Sequence, residues 1–163
     1  MFYNANVAVE PAVSLLESYS PEHGLSKTEA ALIAFADVGL DSRVTLLGSH
    51  TLDLLCALLR QGHVSASAMR LSDRPPSKTA DVVLVPHVGS PDHLSRAIVQ
   101  SRRQLVPFGT LVLHLSGSPD AGLLRQASHL LMLHGFGLVR KRMVSDEVLV
   151  RAELPLHGRL ACA

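Results

Sequence analysis

In Asp81-Val82-Val83-Leu84-Val85 the four residues after the aspartate are apolar in succession rather than in alternation. A strand of that pattern has no face to give to water, so it needs cover on both sides, as in a parallel sheet between two layers of helices. Thr110-Leu111-Val112-Leu113-His114-Leu115 repeats the pattern, and Arg43 to Leu47 gives a shorter version. Leu52, Leu55, Leu58 and Leu59 recur at helical spacing up to a stop at Gly62. Pro91 suits the first turn of a helix running to Leu105, and Ser118-Pro119-Asp120 opens another that ends near Gly135. Val64 to Leu71 reads as a strand, followed by a polar, proline-containing link from Ser72 to Thr79. Buried strands alternating with amphipathic helices predict an α/β domain with a doubly wound, mostly parallel, Rossmann-like sheet.

The two ends of the chain depart from that rhythm. Asn4 to Tyr19 reads as a first helix, broken by the turn residues Ser20-Pro21-Glu22-His23-Gly24. Ser26-Lys27-Thr28-Glu29 has the form of a capping box, which predicts a helix from Lys27 to about Val38 stopped by Gly39. At the other end Gly137 to Val144, the turn Ser145-Asp146 and Glu147 to Glu153 predict an antiparallel hairpin with no intervening helix. The expected division is an N-terminal helical segment over 1–40, an α/β domain over 41–155 and a tail over 156–163.

Composition narrows the function classes. A chain of 163 residues, 47% of them hydrophobic, suits one core. With 15 basic and 14 acidic side chains there is no global field to draw it to nucleic acid or to an anionic membrane. Arg140-Lys141-Arg142 is a local basic run, but strand alternation puts Lys141 on the face opposite the two arginines, and aromatic residues for stacking make up 4% of the chain. Nucleic acid is therefore an unexpected partner. No apolar run approaches the roughly 18 residues of a membrane span. Cys56 and Cys162 do not form a disulfide framework, so a cytoplasmic setting is expected.

The Asp-Val-Val-Leu-Val strand, the segment Leu105-Val106-Pro107-Phe108-Gly109 before the next strand, the helix closing at Gly135-Phe136 and the terminal hairpin together resemble the second half of class I S-adenosylmethionine-dependent methyltransferases. Leu105 to Gly109 resembles that family's L-K-P-G-G turn, with Val106 and Phe108 as departures. The resemblance spans roughly residues 41–153 and concerns the scaffold more than the site.

That resemblance implies a cofactor site, and the departures fall on it. The family's glycine-rich turn maps onto Gly48-Ser49-His50-Thr51-Leu52, which holds a single glycine where close backbone approach calls for several. The acidic residue that takes the ribose hydroxyls maps near Arg70, which has no acceptor; Asp73 is the nearest carboxylate that can stand in. Arg70 would suit a ribose 2′-phosphate, though the poor glycine turn argues against a dinucleotide. Only about ten residues separate the second strand from the Asp81 strand, which leaves almost no room for the family's third strand. A truncated fold with a degenerate cofactor motif is the expectation. Should S-adenosylmethionine bind nonetheless, Gly48, Ser49, His50, Asp73 and His87 are the candidate contacts.

His50, His87 and His114 fall at or near strand carboxyl ends, where open parallel sheets bind ligands. Three converging imidazoles suit a metal such as zinc, an anion or proton transfer. The resemblance also implies substrate-facing residues over Pro86 to Asp92, with His87, Ser90 and Asp92 as candidates, but a capped helix start explains Ser90 and Asp92 without that role. Ser116-Gly117-Ser118 is explained equally by a capped loop or an anion-binding turn.

Three functions follow from different classes. The first is a non-catalytic methyltransferase-like module acting through protein contacts, regulatory or structural, with a protein partner or self-association as a homodimer and no cofactor. Its mean hydropathy of +0.26 leaves apolar surface for a partner. The second is an S-adenosylmethionine-dependent methyltransferase with an atypical pocket. The third is a small-ligand or metal-binding protein using the strand-end histidines. No catalytic pair is legible from sequence positions alone.

Overall fold

The computed structural model describes residues 24–117 and 121–156. The helix expected over Asn4 to Tyr19 and the tail beyond Leu156 lie outside them. Among the described residues the order is α1 (Lys27–Ala36), β1 (Val44–Leu47), α2 (Leu52–Arg60), β2 (Ala66–Met69), β3 (Ala80–Val88), α3 (Pro91–Gln104), β4 (Leu105–Leu115), α4 (Ala121–Leu133), β5 (Gly137–Val144) and β6 (Glu147–Glu153). The strands form one sheet in the order β2-β1-β3-β4-β6-β5. Its first four strands are parallel, and β6 and β5 pair antiparallel, as the doubly wound reading with a terminal hairpin requires.

The succession of apolar residues in β3 and β4 is explained by their central place. Val83, Val85, Leu111 and Leu113 pack with Leu94, Ala97 and Ile98 of α3 and Ala127 and Leu131 of α4. Leu84 and Val112 join a second cluster with Leu32 of α1, Leu54 and Leu58 of α2, and Leu149 of β6. Alternate residues thus feed separate clusters, as the two-residue period of a strand dictates. Arg151 of β6 fastens α1 over its cluster by donating from Nη1 to the Phe35 carbonyl at 3.0 Å.

Several boundaries moved for physical reasons. The capping box forms, with the Ser26 hydroxyl accepting from the Glu29 N–H at 3.1 Å and the Glu29 carboxylate accepting from the Ser26 N–H at 2.9 Å. The helix closes at Asp37, which takes a left-handed φ of 53°, before Gly39 is reached. The second strand is Ala66–Met69 and not Val64 to Leu71, because its one partner, β1, offers four residues to pair with. In the other direction β3 runs through Pro86 and His87 to Val88. Pro86 has no N–H for the ladder, and the β3–β4 register shifts between Val85 and Val88 to accommodate it.

The turn resembling L-K-P-G-G is an irregularity inside β4. Its register with β3 jumps from Ala80↔Leu105 to Val82↔Thr110. Gly109 is required there: a Cβ would lie 2.7 Å from Leu105 Cδ2 and 2.8 Å from the Val106 carbonyl oxygen. Phe108 takes φ 64° with its side chain 69% exposed. At the amino ends of β1 and β3, Asp81 takes a bidentate grip on the Arg43 guanidinium at 3.1 and 2.9 Å and also accepts from the Arg43 N–H. That guanidinium holds the Asp81 carboxyl below its ordinary value.

Candidate functional site

The carboxyl ends of β1 and β2 open on a cleft of about 730 Å³. Its floor is the turn Gly48-Ser49-His50-Thr51, one wall is the segment 68–73, and the other is α3 through His93 and Arg96. Two backbone features make the turn: Gly48 at φ 121° and His50 at φ 56°. The Gly48 N–H donates to the Met69 carbonyl at 2.9 Å, joining turn to wall. Gln100 holds the far wall from α3, donating from Nε2 to the Leu71 carbonyl at 3.0 Å.

Four of the sequence candidates, Gly48, Ser49, His50 and Asp73, line this cleft. Arg70 follows β2 directly and also lines it. Asp73 turns back on the loop, accepting from the Arg70 N–H at 2.9 Å through Oδ2. Ser90 is a helix cap, accepting from the His93 N–H, which is the reading the sequence favoured. After Ser116, Gly117 donates its N–H to Glu147, so a carboxylate of the protein itself meets that amide.

His87 stands beside His50 rather than on the cleft wall. The His50 and His87 rings meet edge-on with centroids 6.2 Å apart, and the His87 and His114 centroids are 5.4 Å apart. The three rings therefore converge in a row. As placed, they do not make the metal centre considered for them: among the described residues no group of three or more His, Cys, Asp or Glu side chains is arranged to hold a metal ion. The reason lies at buried His114. Its Nδ1 bonds to the Pro86 carbonyl, and its Nε2 lies 3.0 Å from Glu147 Oε2. Oxygen acceptors thus face both ring nitrogens.

Glu147 also accepts from the Thr28 hydroxyl at 2.8 Å, which joins α1 to the hairpin. That hydroxyl, with His114 behind it, holds the Glu147 carboxyl below its ordinary value. Burial lowers the His87 pKa, and the His114 and His50 charges add to the effect while Glu29 and Glu147 oppose it. Burial and then His87 lower that of His93. Both rings are consequently neutral at physiological pH and able to accept a proton.

The chain is similar in structure to a SAM-dependent O-methyltransferase from Thermotoga maritima, with TM-score 0.62 and 12% identity over 90% of this chain and 71% of that one. A ribosomal protein L11 methylase from Lactobacillus delbrueckii subsp. bulgaricus gives 0.63 and 15% over 83% of each chain. The fold is class I methyltransferase-like. A chain from the Haloferax volcanii complex containing the Trm112 methyltransferase activator also matches, at 0.60 and 12% over 79% of this chain and 89% of that one. No family model matches the chain, and no curated protein matches it by sequence.

Within the methyltransferase-like fold, sequence reasoning missed four cleft or network residues. His93 and Arg96 lie three apart on one face of α3, and that spacing is a signal only once the helix's rotation against the sheet is known. Gln100 continues the same face. Glu147 becomes visible from strand register: His114 pairs with Leu149, so Glu147, two residues before it, is the diagonal neighbour on that face.

Proposed function

We propose that this chain is a non-catalytic methyltransferase-like module that acts through protein contacts. The observation that carries the reading is Arg70 directly after β2. The resemblance assigns this place to an acidic residue that accepts from ribose hydroxyls, and a guanidinium only donates. Asp73, the stand-in, already has Oδ2 engaged by the Arg70 N–H. S-adenosylmethionine carries a sulfonium cation, and Arg70 and Arg96 present positive charge to it across the cleft. The residues present therefore do not fit the cofactor in the family's manner.

An apolar surface supports the contact role. Phe108, Leu138 and Leu156 are 69%, 66% and 58% exposed at the end of the sheet opposite the cleft. Phe108 and Leu138 lie on β4 and β5, on either side of the β6 end that leads to Leu156: the Phe108 N–H bonds to the Leu154 carbonyl, and Gly137 pairs with Glu153. Exposed apolar side chains grouped in this way mark contact surfaces.

A methyltransferase with an atypical pocket is the second reading, favoured by one feature, the cleft itself at the carboxyl ends of β1 and β2. Thermal unfolding with saturating S-adenosylmethionine and S-adenosylhomocysteine separates the two. Ligand at about 100 times its Kd adds roughly 2.7 kcal/mol of stability. No shift, together with self-association that Phe108→Asp or Leu138→Asp abolishes in sedimentation velocity, supports the first reading. A shift with either compound overturns it.

A further inference from the structure

We propose that the cleft between β1, β2 and α3 binds a phosphorylated small molecule of nucleotide size. The proposal goes beyond the reading above and stands whether or not the chain works through protein contacts.

Charge carries the argument. Two guanidinium groups, Arg70 from the β2 wall and Arg96 from α3, line the cleft against one carboxylate, Asp73. Among the described residues no carboxylate forms an ion pair with either arginine. Surface arginines commonly find carboxylate partners, as Arg43 and Arg151 do here. Two without a carboxylate partner among the described residues, on one concavity, are available for a bidentate grip on an oxyanion, which their planar forks suit better than lysine does.

The polar groups between them point the same way. The cleft floor leads into the amino end of α2, where Thr51 makes no side-chain bond to the first turn. Thr51 and Leu52 put the positive end of that helix dipole on the same space, with Asp53 in its first turn. His93 lines the cleft, and its Nε2 is buried without a hydrogen-bond partner among the described residues, facing Gly48. An unsatisfied buried nitrogen costs stability unless a ligand or water completes it. The His50 side chain lines the floor of the same cleft.

Size decides between a bare ion and a larger ligand. Inorganic phosphate would fill a small part of about 730 Å³, a volume in the range of roughly 300–1,000 Å³ typical of organic ligand pockets. Half-buried Met69 and Leu71 on the same wall give an apolar surface for the uncharged body of such a ligand. A phosphate on one side of that body would then meet the arginines.

The test is calorimetric titration of the full chain with adenosine 5′-monophosphate, ribose 5-phosphate, inorganic phosphate and adenosine at fixed ionic strength. The expected order places the two phosphate esters above inorganic phosphate, with adenosine not binding. Arg70→Ala and Arg96→Ala are each expected to weaken the esters by about tenfold or more, equivalent to about 1.4 kcal/mol. Both side chains are exposed, so the unliganded unfolding midpoint should stay put and separate lost binding from lost folding. Absence of binding at millimolar esters overturns the proposal. Adenosine binding as well as its monophosphate, or ester affinity unchanged in both alanine variants, overturns it too. S-adenosylmethionine run in parallel bears on the reading in the preceding subsection and leaves this one untouched.

Discussion

His114 Nε2 lies 3.0 Å from Glu147 Oε2, so the carboxyl end of β4 and the first residue of β6 meet through an imidazole and a carboxylate. The same oxygen accepts from Thr28, and the imidazole's other nitrogen is held by the Pro86 carbonyl. Four segments distant in sequence, 28, 86, 114 and 147, thus share one polar chain under the roof of α1.

Glu147→Ala removes the acceptor from both Thr28 and buried His114. Loss of partners for buried polar groups costs about 1–3 kcal/mol. Urea unfolding should show that loss with an unchanged m value. A variant as stable as the parent would mean the chain contributes nothing to holding α1.

Acid should act in two stages. His87 and His93 have native pKa values below 6.5. Between those values and 6.5 the unfolded chain binds more protons than the native one, so stability falls as pH drops below about 6.5. Glu147 and Asp81 also have lowered values, from 4.5 and 3.8, so their contribution is present above those pH values and is lost as pH falls through the native ones. Thermal unfolding from pH 8 to 3 checks the order of the limbs, and His87→Gln should shallow the upper one alone.

Two neighbouring substitutions in β4 should move stability in opposite directions. Gly109→Ala drives a methyl into the Leu105 side chain and the Val106 carbonyl, an overpacking that costs about 1–3 kcal/mol. Phe108→Gly relieves a left-handed conformation that costs an L side chain about 1–2 kcal/mol, offset in part by glycine's entropy of roughly 0.5–1 kcal/mol. A small net gain is expected, since the exposed ring gives up little burial. Chemical denaturation of the pair tests both signs at once.

Gln100 ties α3 to the loop after β2. Gln100→Ala should leave the global midpoint within about 1 kcal/mol, the scale of a single hydrogen bond. Hydrogen exchange over residues 71–73 should nevertheless speed up. Unchanged exchange there would show that the cleft wall is held by the β2–β3 link itself.

The central strands were legible because burial on both faces writes itself into consecutive residues, and Val82 to Val85 and Leu111 to Leu115 have almost no other reading. The hairpin was legible because Ser145-Asp146 separates two strands directly. The ends of β2 and β3 were not, since they depend on the partner: four residues of β1 limit β2, and a register shift lets β3 pass through Pro86. The cleft was half legible. Strand ends drew attention to His50, His87 and His114, and the adjoining turn to Gly48 and Asp73. His93 and Arg96 belong to a helix whose rotation no local pattern reports. Glu147 waits on a register that only the folded hairpin supplies.

The strand order places β4 between β3, which precedes it in the chain, and β6, which comes last. During synthesis the parallel half can assemble while the far side of β4 has no neighbour. Leu111, Leu113 and Leu115 lie on a strand whose outer N–H and C=O groups are bare until residues 147–153 arrive. An apolar strand with a free edge is what invites another chain to pair with it. The closing hairpin is therefore also the protein's guard against its own half-made form, and a chain cut short before Glu147 would carry that edge open.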